Sequence, residues 1–60
     1  MANEEHLALL KKGVKAWNEW RKQHGDVIPD FRGAMLYEAD LRGAQLESAV
    51  FGWANLSRAS

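Results

Sequence analysis

Pro-Asp-Phe-Arg-Gly (29–33), Ala-Met-Leu-Tyr-Glu (34–38), Ala-Asp-Leu-Arg-Gly (39–43), Ala-Gln-Leu-Glu-Ser (44–48), Ala-Val-Phe-Gly-Trp (49–53) and Ala-Asn-Leu-Ser-Arg (54–58) follow one another without a gap, and Ala59 and Ser60 begin another unit. The middle of each unit is large and apolar: Phe31, Leu36, Leu41, Leu46, Phe51 and Leu56. Two places earlier stands alanine in every unit but the first, where Pro29 takes its place. Neither the helical period of 3.6 nor the strand period of 2 produces six successive matches at a spacing of five. Such a period has a direct geometric meaning if each unit forms one side of a square coil. The large residue fills the centre, the alanine fits the tight interior, the other three face outward, and four units close one turn.

The pattern Ala39-Asp40-Leu41-Arg42-Gly43 and Ala54-Asn55-Leu56-Ser57-Arg58 resembles the pentapeptide-repeat family. That resemblance covers residues 29–60 and implies a right-handed quadrilateral parallel β-helix, here of about one and a half coils. The segment from Gly13 to Trp20, Gly-Val-Lys-Ala-Trp-Asn-Glu-Trp, is also similar to a helix that precedes the repeats in some bacterial members. At the position before the centre, Met35, Gln45 and Val50 replace the Asp or Asn usual in the family, which suggests local contacts or a binding patch on the outer wall.

Upstream of the repeats the period is helical. Leu7, Leu10, Val14, Trp17 and Trp20 or Arg21 recur at three or four positions, while Lys11, Lys12, Lys15, Asn18, Glu19 and Lys22 take the opposite face. Asn3 is placed to cap the free N–H groups, Glu4 and Glu5 suit the positive end of the helix dipole, and Gly25 is placed for a left-handed stop. The expectation is an α+β domain over 1–60: a capping helix over 4–24, a connector over 25–28, and repeats over 29–60. Leu10, Val14, Trp17 and Trp20 are the expected contacts of the helix with the coil.

Sixty residues with no cysteine form one small domain without disulfides or thiolate metal sites. A domain of this length buries only about 60% of its unfolded surface, so an additional source of stability is expected. Eight basic residues balance eight acidic ones. No global field draws in nucleic acid or anionic lipid, and no apolar run has the length of a leader or a membrane span. The reading is a soluble, cytoplasmic protein with neither nucleic acid nor membrane as partner.

Catalysis would need carboxylates with displaced pKa values in a cleft, yet Asp30, Glu38, Asp40 and Glu47 all fall at outward positions of a convex coil. The two histidines, His6 and His24, lie at opposite ends of the expected helix, roughly 27 Å apart, too far to share a metal. No cofactor, metal or small-molecule substrate is expected, and the chain reads as a non-catalytic interaction or self-assembly module. Its open end would expose Leu41, Leu46, Phe51 and Leu56, and an end-to-end homodimer is the simplest closed solution. Val50 and Trp53 flank that end. Trp53 falls twenty positions after Gly33 and either lies across it or serves as a binding hot spot, and the same offset stacks Glu38 under Arg58 as an expected ion pair. Two alternatives remain. The chain could be the N-terminal capping part of a longer repeat protein. It could also mimic DNA, as some members that protect type II topoisomerases do, although four acidic against three basic residues in the repeats give no acidic rod.

Overall fold

Asn3 starts the chain's first helix, its Oδ1 accepting the amides of Glu5 and His6 at 2.9 and 3.2 Å. In the computed structural model, which describes residues 1–60, α1 spans Glu4–Lys12 and α2 spans Val14–Gln23. The single helix expected over 4–24 is therefore two. Gly13 separates them at φ 136°, ψ 158°, a region essentially closed to residues with a Cβ. The break redirects α2 so that His6 and Leu10 of the first helix and Trp17 and Arg21 of the second all become buried.

The second helix also stops differently from expectation. Gly25 does not adopt a positive φ. Instead the buried Arg21 reaches past the end of α2 and donates to the carbonyls of His24 and Val27 at 3.1 and 2.7 Å. The guanidinium thus ties down the connector, while the last-turn carbonyls of Trp20 and Arg21 are met by the His24 amide at 3.1 and 3.2 Å.

From Pro29 onward the chain turns every five residues. Turns lie at 32–33, 37–38, 42–43, 47–48, 52–53 and 57–58. Each is closed by the amide of the following alanine donating to the carbonyl of the preceding central residue, from Ala34 to Phe31 O at 3.0 Å through Ala59 to Leu56 O at 3.0 Å. The second turn residue has positive φ every time: Gly33, Glu38, Gly43, Ser48, Trp53 and Arg58. This is the backbone of a type II turn. Four of the six corners hold a side chain in the left-handed region, a conformation that costs roughly 1–2 kcal/mol per residue.

Residues twenty apart stack. The amides of Phe31 and Leu36 donate up to Val50 O and Asn55 O at 2.8 and 2.9 Å, while those of Val50 and Asn55 donate down to Pro29 O and Ala34 O, both at 2.9 Å. These bonds make two parallel bridges, Asp30 to Val50 and Met35 to Asn55. Ser60 makes the same pair of bonds about Asp40. No strand longer than a bridge forms, because two of every five residues are consumed by a corner. The chain thus has an N-terminal pair of helices and a repeat region in two levels, a lower one over 29–48 and an upper one beginning at Ala49. No helix is long and apolar enough to cross a membrane.

The core is a column. Trp17, fully buried, packs on Phe31 at a centroid distance of 5.3 Å, and Phe31 stacks on Phe51 at 5.4 Å, as the offset of twenty predicts. Trp20 and His24 extend the aromatic series outward at 5.2 and 4.6 Å. Leu10, Ala34 and Leu36 complete the buried cluster.

Candidate functional site

The two ends of the coil differ in what their backbone meets. In the stacked levels, the residue before each centre directs its own N–H and C=O downward, and the alanine carbonyl and the central amide point upward. A lowest level therefore presents downward-facing groups at Asp30, Met35, Asp40 and Gln45, with nothing of the repeat beneath them. Groups of the N-terminal segment, three side chains and one backbone amide, fill two of the four places. The Asp30 amide donates to His6 Nδ1 at 3.1 Å and its carbonyl accepts from the Asn3 amide at 3.0 Å. Across the coil, the Gln45 amide donates to Asn18 Oδ1 at 2.7 Å, the Gln45 carbonyl accepts from Trp17 Nε1 at 2.9 Å, and Asn18 Nδ2 donates to Gly43 O at 2.9 Å. The carboxamide of Asn18 presents one acceptor and one donor, as a peptide group does. Trp17 and Asn18 thus replace the missing lower level at Gln45.

Three of the four expected cap contacts lie in or against the core: Leu10 and Trp17 are buried, and Trp20 packs on the cluster. Val14 is half-buried and lines shallow grooves beside Asp40, Arg42 and Gly43. His6 and Asn18 were not singled out as cap residues by the sequence. Their partners are 24 and 27 positions away, so no local period carries the signal.

The upper end is bare. The amides of Leu46, Phe51, Trp53, Leu56 and Arg58, and the carbonyls of Ala44, Ala49, Ala54 and Ala59, have no hydrogen-bond partner within the chain. Burial follows the same division. Phe31 and Leu36 in the lower level are 0% and 2% exposed, whereas Leu56 at the same repeat position above is 39% exposed. Leu41, Leu46 and Phe51 are half-buried against the core.

On the outer wall Val50 is 40% and Met35 62% exposed. Trp53 is 97% exposed, and a Cβ built on Gly33 would meet nothing within 4 Å. The indole therefore does not lie across that glycine. Glu38 and Arg58 do not pair either; the ion pairs are Asp30–Arg32 at 2.9 Å and Asp40–Arg42 at 2.7 Å. These form because each carboxylate also accepts the arginine's own backbone amide, which fixes it for the guanidinium. An exposed pair across levels lacks that support and gains little from charge alone. The side-chain hydrogen bonds of Arg32, then its amide, pull Asp30 down to about 2, and Arg42 does the same to Asp40. No group of three or more His, Asp or Glu residues is placed to hold a metal ion. His6 Nδ1 is occupied by the Asp30 amide, and His24 Nδ1 lies 3.0 Å from Trp20 O.

A family model described as pentapeptide repeats (eight copies) matches residues 30–60. Neither a curated protein nor a solved structure matches the chain.

Proposed function

Since this chain belongs to the pentapeptide-repeat family, we propose that it is a non-catalytic scaffold, a short right-handed quadrilateral β-helix closed below by α1 and α2 and used for assembly through its upper end. The observation that carries this reading is the contrast between levels at one repeat position: Leu36 is sealed and Leu56 is not. An exposed sheet edge with an apolar floor is an adhesive surface. The outward carboxylates support the non-catalytic part, because an acid held near 2 by its arginine is a poor proton donor or acceptor at neutral pH.

A second copy of the chain, joined end to end, is the partner that uses this surface most economically, since a two-fold contact closes on itself. Starting and capping a longer coil is a second use of the same geometry, favoured by the way the N-terminal segment takes the place of a lower level at Asp30 and Gln45. Sedimentation equilibrium distinguishes self-assembly. The chain of 6.8 kDa should approach twice that mass at high micromolar concentration, Leu56→Glu should abolish the association, and Lys11→Glu should leave it intact. A strictly monomeric parent would overturn the assembly reading.

A further inference from the structure

Two imidazoles sit at the helical end of the molecule with opposite hydrogen-bond needs. His6 Nδ1 accepts the Asp30 amide at 3.1 Å, so Nδ1 must be bare and the ring proton must sit on Nε2. His24 Nδ1 lies 3.0 Å from the Trp20 carbonyl, which can only accept, so there Nδ1 carries the proton. A second proton therefore acts differently on the two rings. At His24 it goes to Nε2, leaves the bond to Trp20 O in place and puts a cation at the C-terminal end of α2, where the helix dipole favours one. At His6 it goes to Nδ1 and sets one N–H against another.

The surroundings of His6 offer that second N–H no acceptor. The residue is 7% exposed, and its ring is enclosed by Trp17, Trp20 and Phe31 at centroid distances of 6.2, 5.2 and 6.5 Å. Attraction to an aromatic face offsets only part of the cost of a desolvated charge without a hydrogen-bond partner. The charged groups on the elements around it are engaged elsewhere or carry the wrong sign. The Asp30 carboxylate is taken by Arg32. On α2 the Arg21 guanidinium, a donor only, serves the His24 and Val27 carbonyls. On α1 neither Glu4 nor Glu5 pairs with His6, and the Met1 amine is itself a cation. Only two hydrogen bonds join residues 1–12 to the repeats: the one His6 accepts, and the Asn3 amide to Asp30 O. The other hold on the coil contains nothing that titrates, since it consists of Trp17 Nε1 and the Asn18 carboxamide on Gln45 and Gly43. Gly13 separates the two holds, with His6 on α1 and Trp17 and Asn18 on α2. We propose that the cap is an acid-sensitive device: protonation of His6 releases α1 from the Asp30 side of the coil and uncovers the part of the core beneath His6 and Leu10, while α2 stays clamped at Gln45.

The released form takes up a proton that the closed form excludes, so release is favoured as pH falls below about 6.5, where a solvated imidazole becomes charged. From about pH 7.5 to about pH 5.5 the ratio of released to closed cap should rise about tenfold. Ring-nitrogen NMR shifts and amide exchange test this on the intact chain. At the higher pH the shifts should report a bare Nδ1 on His6 and a protonated Nδ1 on His24. Corrected for intrinsic exchange, protection of the Asp30 amide should fall about tenfold between the two pH values, and that of the Gln45 amide should hold. His6→Asn places Oδ1 where Nδ1 stands, an acceptor that does not titrate. Whatever packing it loses, the variant should show no pH response at Asp30, whereas His24→Gln should keep the full response. A protonated Nδ1 on His6 at the higher pH, Asp30 protection that does not change with pH, or a response that survives in His6→Asn would each overturn the proposal. Parallel loss at Asp30 and Gln45 would overturn the release of α1 alone.

Discussion

Replacing Asn18 with alanine tests whether a helical side chain stands in for a level of the coil. The substitution removes two hydrogen bonds, from the Gln45 amide at 2.7 Å and to Gly43 O at 2.9 Å. A net hydrogen bond is worth about 0.5–1.5 kcal/mol, and water replaces part of that at this exposed site, so the expected loss is about 1–2 kcal/mol. A domain of this size has total stability of roughly 3–9 kcal/mol, and 1 kcal/mol moves its midpoint by about 4–8 °C. Thermal unfolding followed by circular dichroism should show a drop within that range. Hydrogen exchange adds a local readout. The Gln45 amide should exchange faster in the variant, whereas the Ala44 amide, bonded to Leu41 O at 3.0 Å, should lose protection only by as much as the global loss allows. A midpoint within 1 °C of the parent and an unchanged Gln45 amide would refute the replacement argument.

Gly33→Ala and Gly43→Ala meet no atom within 4 Å but must hold φ 73° and 80°, so each should cost roughly 1–2 kcal/mol in urea unfolding from backbone strain alone. Gly13→Ala should cost roughly 1–3 kcal/mol for the same reason, while lengthening neither helix. Leu36→Ala removes a side chain 2% exposed and should cost roughly 2–5 kcal/mol, a large share of the stability of a domain this small; a variant as stable as the parent would contradict the buried column. Acid should destabilise the fold. Asp30 and Asp40 have folded pKa values of about 2 against 3.8 unfolded, so their contribution is present above about pH 4 and is lost as pH falls toward 2; Asp30→Asn with Asp40→Asn should flatten that part of the stability profile.

The repeat region was legible because its signal is both periodic and geometric. Once the spacing of five sets which residues face inward, the offset of twenty places Phe51 on Phe31 and marks Val50, Met35 and Trp53 as outward. The helical segment was less legible. Glycine inside a helical pattern costs only about 1 kcal/mol, so the pattern alone does not reveal that Gly13 breaks the helix rather than continuing it. The His24 amide closes the last turn of α2 without a left-handed Gly25, and Arg21 ties down the connector because two carbonyls at and beyond the cap come within reach of its guanidinium, which is a tertiary event. Asn18 sits on the face that reads as solvated and His6 was given no contact with the coil, and only the folded coil brings Gln45 and Asp30 to them. The expected pair Glu38–Arg58 failed on energetics, since vertical stacking supplies proximity but nothing to hold two flexible, exposed side chains together.

The central claim is a coil whose lower level is satisfied within the chain and whose upper level is satisfied by another copy. Amide hydrogen exchange measured by NMR at low and high protein concentration addresses both halves at once. The amides of Phe31, Gly33, Leu36 and Glu38, bonded to Val50, Gly52, Asn55 and Ser57 carbonyls, should be protected at both concentrations. Those of Leu46, Phe51 and Leu56 should be open when dilute and become protected when concentrated. Equal exchange of the two sets at every concentration would contradict the account.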